Sequence, residues 1–248
     1  MTAPALVQVA ELAAGYERSR PAITGVSFSA RAGQAVAVLG PNGGGKSTLL
    51  GALLGLVPWR EGTMRLEGRP AWVPQGDRSQ LDFPVSALDV ALMGAYVRVP
   101  WHRRLGRAER GAARDALDRV GLADLSRAPY GSLSAGQRQR VLIARTLVTD
   151  ARVLLLDEPL TGLDRAAGQR VLELVDELRA EGRVLLVATH DLAQATRLDS
   201  VLCLNGRQVA FGPPEATLTA AVVEATYGHE VVVLGDDGRS VVIPHQGP

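Results

Sequence analysis

Gly40-Pro41-Asn42-Gly43-Gly44-Gly45-Lys46-Ser47-Thr48 is the stretch whose residue types and spacing could do chemistry most directly. It fits G-x-x-x-x-G-K-[S/T], in which small residues let successive backbone N–H groups curl around phosphate oxygens. Lys46 would bring a mobile point charge to the outer phosphates, and Ser47 a hydroxyl to Mg2+. Of the 27 Lys and Arg residues in the chain, one is a lysine, and it is this one. A planar guanidinium does not replace a compact ammonium. A chain that uses Arg at every other basic position and Lys here is consistent with a site that needs the smaller cation.

Further candidates lie at the ends of apolar runs. Arg152-Val-Leu-Leu-Leu-Asp157-Glu158-Pro159 reads as a buried parallel strand ending in two carboxylates. Val184-Leu-Leu-Val-Ala188 reads as another, followed by Thr189, His190 and Asp191. Gln75 ends the short extended run Ala71–Pro74. Ligand chemistry in parallel sheets gathers at the strands' carboxyl ends, so His190 would face the same crevice as Lys46 and Asp157. Leu133-Ser134-Ala135-Gly136-Gln137 opens a long helical run, with Ser134 as N-cap. That helix start would be a second anion-binding arrangement. Tyr16, in a loop between two strands, is either surface packing or a stacking platform for a base.

Elements that must position these residues follow from pattern. Residues 5–12, 25–30 and 34–39 read as strands, Thr48–Gly55 as a helix, and Pro58–Gly68 as turn-rich. Residues 76–130 change character: Leu88–Gly94 and 108–120 are helical in pattern. The arginines between 98 and 119 are read as a solvated face, and the region as a helical lobe inserted into an α/β body. Helix 165–180 is expected to turn Leu172, Leu174, Val175 and Leu178 inward. Hairpins are expected around Asn205-Gly206 and Asp236-Asp237-Gly238.

Composition narrows the classes. With 248 residues, 46% of them hydrophobic, the chain can build a large core, and a net charge of +1 argues against a dedicated nucleic-acid binder. The single cysteine, Cys203, rules out an internal disulfide and is read as a core thiol. His102, His190, His229 and His245 are scattered without ligand spacing. No basic start with an apolar block behind it, and no run of roughly 20 apolar residues, is seen. A cytosolic subunit, linked to any membrane through a partner, is expected.

These motifs together resemble the ATP-binding subunit of an ABC transporter over roughly residues 5–228. Leu133–Gln137 matches the family's signature, with Ala135 where Gly is commoner. The resemblance implies a P-loop NTPase fold: a RecA-like α/β core, an antiparallel β subdomain and an inserted α-helical subdomain at about 76–150. Residues 1–228 would form the ATPase domain and 229–248 a C-terminal hairpin or tail. It implies ATP and Mg2+ as cofactors. Tyr16 would stack on adenine, Gly40 to Thr48 cradle the phosphates, and Ser47, Gln75 and Asp157 serve Mg2+. Glu158 would polarise the attacking water, with Gln75 reaching it too, and His190 would sit on the γ-phosphate. Ser134, Gly136 and Gln137 would cap nucleotide held by a second subunit, and Asp164 would cross between subunits, in a head-to-tail dimer. Permease subunits in the membrane and, through them, an extracytoplasmic metal-binding protein are the implied partners, at the cytoplasmic face of the membrane, with no nucleic acid.

For cargo, Gln80–Gly94, Trp101–Arg104, Val209–Pro214 and Ala225–Gly228 resemble the manganese/zinc importer branch. Siderophore, haem and cobalamin importers are the alternative. Exporter ATPases and soluble ABC proteins of DNA repair or translation are further rivals. The stretch from Thr48 to Leu133 carries no long heptad run, unlike the repair forms, and the chain has one cassette where translation factors usually carry two.

Overall fold

The computed structural model describes residues 4–75, 84–100, 102–228, 231–234 and 241–244. Three unbroken aliphatic runs build its centre. The strands β1 (Ala5–Gly15) and β2 (Ile23–Arg31) precede them, and β3 (Ala35–Leu39) leads into α1 (Lys46–Leu54). The other two runs are β6 (Val153–Asp157) and β7 (Val184–Thr189), and all three are buried along their whole length. Strands of this kind need cover on both faces. Their alternate residues enter two different cores. Leu154, Leu156, Leu185 and Val187 join Val141, Ile143, Leu174 and Leu178, which come from α4 (Ala135–Val148) and α5 (Arg165–Ala180). Val153, Leu155, Val184 and Leu186 face the other way, onto Leu49 and Leu50 of α1 and Leu6, Leu12 and Phe28 of β1 and β2.

With β5 (Ala71–Val73), β8 (Ser200–Leu204) and β9 (Gln208–Gly212) these strands form a six-stranded sheet in the order β5-β6-β7-β3-β8-β9. All neighbours are parallel except β9, which turns back antiparallel on β8 as the Asn205-Gly206 hairpin predicts. The carboxyl ends of β3, β5, β6 and β7 therefore open along one edge.

Pro58–Gly68 is not a turn region. Trp59–Leu66 is a strand, β4, that pairs antiparallel with β1 in a three-stranded sheet β2-β1-β4. It lacks the inside/outside alternation of a half-buried strand, because nearly every residue in it is exposed or half-exposed. Gly62, inside the stretch that reads as turn-rich, accommodates a bulge in β1. It has φ +95° and lies against the main chain of Glu11, itself at φ +49°.

The helical lobe consists of α2 (Ala87–Leu92), a 3-10 turn at Met93–Val97, α3 (Arg107–Arg119) and α4. Leu88, Ala91, Ala113, Ala116, Leu117 and Ile143 share one buried cluster. Ser86 and Ser134 cap their helices reciprocally with Asp89 and Gln137. Reading the arginines as a solvated face holds for Arg107, Arg110 and Arg114, which are exposed. It fails for Arg119, whose guanidinium bridges Glu177 and Glu181 at 3.1 and 2.7 Å and so ties the lobe to α5. Along α5, Val171 is buried and Leu172 is half-buried, so the inward stripe runs through Val171 rather than Leu172.

The chain closes with α6 (Leu192–Ala195), α7 (Pro214–Thr217), α8 (Ala220–Tyr227) and an antiparallel pair, β10 (Val231–Leu234) and β11 (Val241–Pro244). Cys203 is a core thiol as expected, and burial pushes its pKa up to about 11. The segment 76–83, Trp101, His229, the turn at 236–238 and His245 lie outside the described residues. Among the described residues no helix is long and apolar enough to cross a membrane.

Candidate functional site

The loop between β3 and α1 wraps a cavity of about 200 Å3 lined by Pro41, Asn42, Gly43, Gly45, Lys46, Ser47 and Thr48, and by Gln75, Asp157 and Glu158 from the ends of β5 and β6. The loop needs glycine at Gly45 for two reasons. Its φ is +100°, and a β-carbon there would collide with Cγ2 of Ile23. The helix begins at Lys46, two residues earlier than its apolar pattern suggests, so the amides of the motif itself form the helix N-terminus.

Lys46 is buried at the floor of the cavity, where its Nζ donates to the carbonyls of Gly40 (2.7 Å) and Pro41 (3.0 Å). Burial lowers its pKa, and the nearby charges of Glu158 and Asp157 work in the opposite direction. Asp157 responds in the opposite sense: burial raises its pKa and the Glu158 charge adds to this, while a hydrogen bond from Ser47 and the Lys46 charge oppose it. That hydrogen bond runs from Ser47 Oγ to Asp157 Oδ2 at 3.1 Å, across 110 positions of sequence. The result is a desolvated cluster of one cation and two carboxylates, whose balance a polyanionic ligand would change.

Glu158 is the most constrained residue of the group. Its backbone lies at φ +49°, and its N–H donates to Ala188 O at 2.9 Å. Its carboxylate accepts from Gln75 Nε2 (2.9 Å) and Thr161 Oγ1 (3.0 Å) on Oε2, and lies 3.3 Å from His190 Nδ1 on Oε1. The Glu158 side chain is 9% exposed and the His190 ring 63%, so the imidazole forms an open wall of the crevice. Gln75, Glu158 and His190 thus meet, as their positions at three strand ends require. Thr161 is not a residue that the sequence singles out. Its pattern reads as an ordinary turn, and nothing in the sequence reports the backbone twist at Glu158 that brings the hydroxyl into range.

The remaining candidates lie apart from this cluster. Tyr16 is 71% exposed at the end of β1. The strand end it follows lies near the phosphate loop, since Ala22 N–H donates to Ala14 O and Ile23 packs against Gly45, but Tyr16 does not line the cavity. Ser134, Gly136 and Gln137 do not line the cavity among the described residues. Ser134 and Gln137 close the first turn of α4, and Gly136 lies against Gly162 and Leu163. Asp164 caps α5 by accepting from Ala167 N–H at 2.8 Å.

Mg2+ can be tested against the donors present. The Ser47 hydroxyl, the Asp157 carboxylate and the amide oxygen of Gln75 are all hard oxygens, the ligands that Mg2+ takes alongside substrate phosphates. Two of the three already converge, so the set fits. No cluster of three or more His, Cys, Asp or Glu side chains suited to a metal ion exists among the described residues.

A second cavity of about 760 Å3 lies between the α/β core and the helical lobe, with Trp72, Met93, Val97, Arg98 and Arg145 in its walls. Trp72, Met93 and Val97 are large apolar side chains left exposed there, as is neighbouring Tyr96. Elsewhere among the described residues this happens at Tyr16 and Leu56.

Comparison with known proteins agrees with this architecture. The ABC transporter family model matches residues 23–161. The chain is 40% identical over 234 residues to a zinc transport system ATP-binding protein of Treponema pallidum, covering 91% of this chain and 88% of that one. It is 36% identical over 239 residues to a manganese transport system ATP-binding protein of Bacillus subtilis, covering 93% and 95%. Among solved structures it superposes with TM-score 0.83 and 29% identity on an inward-facing ABC transporter assigned to the metal-chelate type, covering 97% of this chain and 98% of that chain. The cbiO1 protein of Clostridium perfringens, part of a cbiONQ transporter complex, gives TM-score 0.74 at 28% identity, covering 89% and 93%.

Proposed function

This chain belongs to the ABC transporter family, and we propose that it hydrolyses ATP to drive import of a divalent metal ion, manganese or zinc, through a membrane permease. The observation that carries the ATPase part is the meeting of Lys46, Ser47, Asp157, Glu158, Gln75 and His190 at one edge of the sheet. The cargo rests on 36–40% identity to zinc and manganese transport ATP-binding proteins over more than nine-tenths of the chain.

Nucleotide phosphates enter the amide cradle of residues 43–48, and Lys46 turns from its two carbonyl partners to the β- and γ-phosphates. Bound Mg2+, held by Ser47, Asp157 and Gln75, would neutralise charge on those phosphates. Glu158 orients a water for in-line attack. The water oxygen bonds to the γ-phosphorus as the bond to the β–γ bridging oxygen breaks, and the water's proton passes to the Glu158 carboxylate. His190, on the open wall, steadies the γ-phosphate, and Tyr16 stacks on adenine. Catalysis here is positioning and charge neutralisation.

One chain makes half of each site. Its cavity of about 200 Å3 is smaller than the ~300–1,000 Å3 of a complete ligand pocket. Ser134, Gly136 and Gln137, whose helix start offers N–H groups to an anion, do not line it. A head-to-tail pair brings the helix start of one copy onto the nucleotide of the other, with Asp164 at the crossing. Residues 1–228 form this ATPase unit and 229–248 a tail.

The cavity beside Met93 and Val97 is proposed as the docking face for the permease, with the chain peripheral at the cytoplasmic face of the membrane. Its exposed side chains are costly to leave in water. Val97→Glu is expected to abolish co-purification with the permease from detergent extracts while leaving ATP binding unchanged. Undiminished co-purification would remove this face from the interface.

Cargo is tested by metal uptake in a strain lacking the chain, complemented with wild type or Glu158→Gln. Loss of manganese or zinc uptake, restored by wild type alone, supports the proposal. Unchanged metal content with lost growth on chelated iron or cobalamin would reassign the cargo and leave the ATPase standing.

A further inference from the structure

The turn that follows β6 holds Glu158 by more than its chain connection. Thr161 N–H donates to the Glu158 carbonyl at 3.2 Å, and Thr161 Oγ1 donates to the Glu158 carboxylate at 3.0 Å. One residue therefore grips both ends of Glu158, whose backbone sits at φ +49°. A non-glycine residue stays in that region when its surroundings over-determine it. The other two side-chain partners of the carboxylate stand on different strands, Gln75 after β5 and His190 after β7. Under the reading given above, both are drawn to the nucleotide when it binds. Thr161 is the partner that stays, because it is fixed three residues away within the same turn.

We propose that Thr161 is a positioning residue for hydrolysis: its hydroxyl occupies Oε2 of Glu158 and so keeps Oε1 as the acceptor for the attacking water. The chemistry suits the residue. A β-branched side chain has few χ1 choices, so the hydroxyl is held in place, and a hydrogen bond to a carboxylate is stronger than a neutral one. Val has the same shape without the donor, and Ser has the donor without the second branch. The proposal rests on Glu158 being the residue that activates water.

The test compares wild type, Thr161→Val, Thr161→Ser and Glu158→Gln. Phosphate release is measured at saturating Mg-ATP, and binding of a fluorescent ATP analogue is measured separately. Thr161→Val is expected to lower kcat about tenfold with the nucleotide Kd within about twofold of wild type, because the lost contact acts on the water and not on the nucleotide. Thr161→Ser is expected to recover most of the rate. Combining Thr161→Val with Glu158→Gln is expected to add no further loss, since both act through one carboxylate. Wild-type turnover by Thr161→Val, or equal impairment in Thr161→Ser, overturns the proposal. Wild-type turnover by Glu158→Gln would instead overturn the assignment of Glu158, and this proposal with it.

Discussion

Glu158→Gln is expected to lower ATP turnover by about 10²–10⁴-fold, the range a positioned general base contributes, while ATP still binds. The substitution preserves shape, and the amide oxygen can still accept from Thr161 or Gln75, so the cavity keeps its walls. What is lost is an acceptor able to take the water's proton. Removing that charge also relieves the electrostatics around it. Asp157 has its pKa raised first by burial and further by Glu158, so it ionises more readily beside a neutral Gln. The phosphates likewise meet one negative charge fewer. Binding is therefore expected to be equal or tighter, and the nucleotide-closed dimer to persist. Phosphate-release kinetics and size-exclusion chromatography with Mg-ATP read the two effects separately. Turnover at the wild-type rate would take the base away from Glu158; loss of ATP binding would give it a structural role instead.

The contrast between Glu158 and Thr161 shows what sequence can convey. Gly40–Thr48 is legible because its chemistry needs particular residue types in unbroken order, and Lys46 stands out further as the single lysine. β6 and β7 are legible because burial on both faces leaves no room for polar residues. Their ends then locate Asp157, Glu158 and His190 on one edge. β4 was hidden for the opposite reason: an exposed strand feels little pressure toward alternation, and the Pro58–Gly68 stretch reads as turn-rich although its Gly62 accommodates a bulge. Thr161 was hidden because its contact depends on one backbone angle. The cavity beside Val97 was hidden because its walls come from β5, the 3-10 turn and α4, which are far apart in the chain. Arg119 looked like its exposed neighbours on α3 because its carboxylate partners lie on a helix some 60 residues later. Signals carried by composition or by local order could be read, and those carried by assembly could not.

Lys46→Ala is expected to weaken ATP binding about tenfold to a hundredfold, the loss of one charged hydrogen-bonding group, and to leave folding nearly unchanged. The reason lies in what holds the side chain without ligand. Its two partners are the Gly40 and Pro41 carbonyls at the floor of an open cavity, and water entering the space left by the side chain can take its place. Burial, the largest influence on its pKa, disfavours the ammonium and outweighs what the neighbouring carboxylates contribute. Lys46→Arg discriminates charge from shape. A guanidinium keeps the charge but spreads it over a planar fork that does not reproduce the compact ammonium, so it too is expected to bind ATP poorly. Calorimetric titration with Mg-ATP measures the affinities, and thermal melting without nucleotide checks the fold. Chemical modification gives an independent route, because Lys46 carries the sole side-chain amine. ATP is expected to protect it from an amine-reactive reagent in wild type, and less effectively in a variant whose cradle is spoiled by Gly45→Ala. Tight ATP binding by Lys46→Arg would mean that positive charge suffices at this position and that the choice of lysine over arginine has no bearing on the phosphate site.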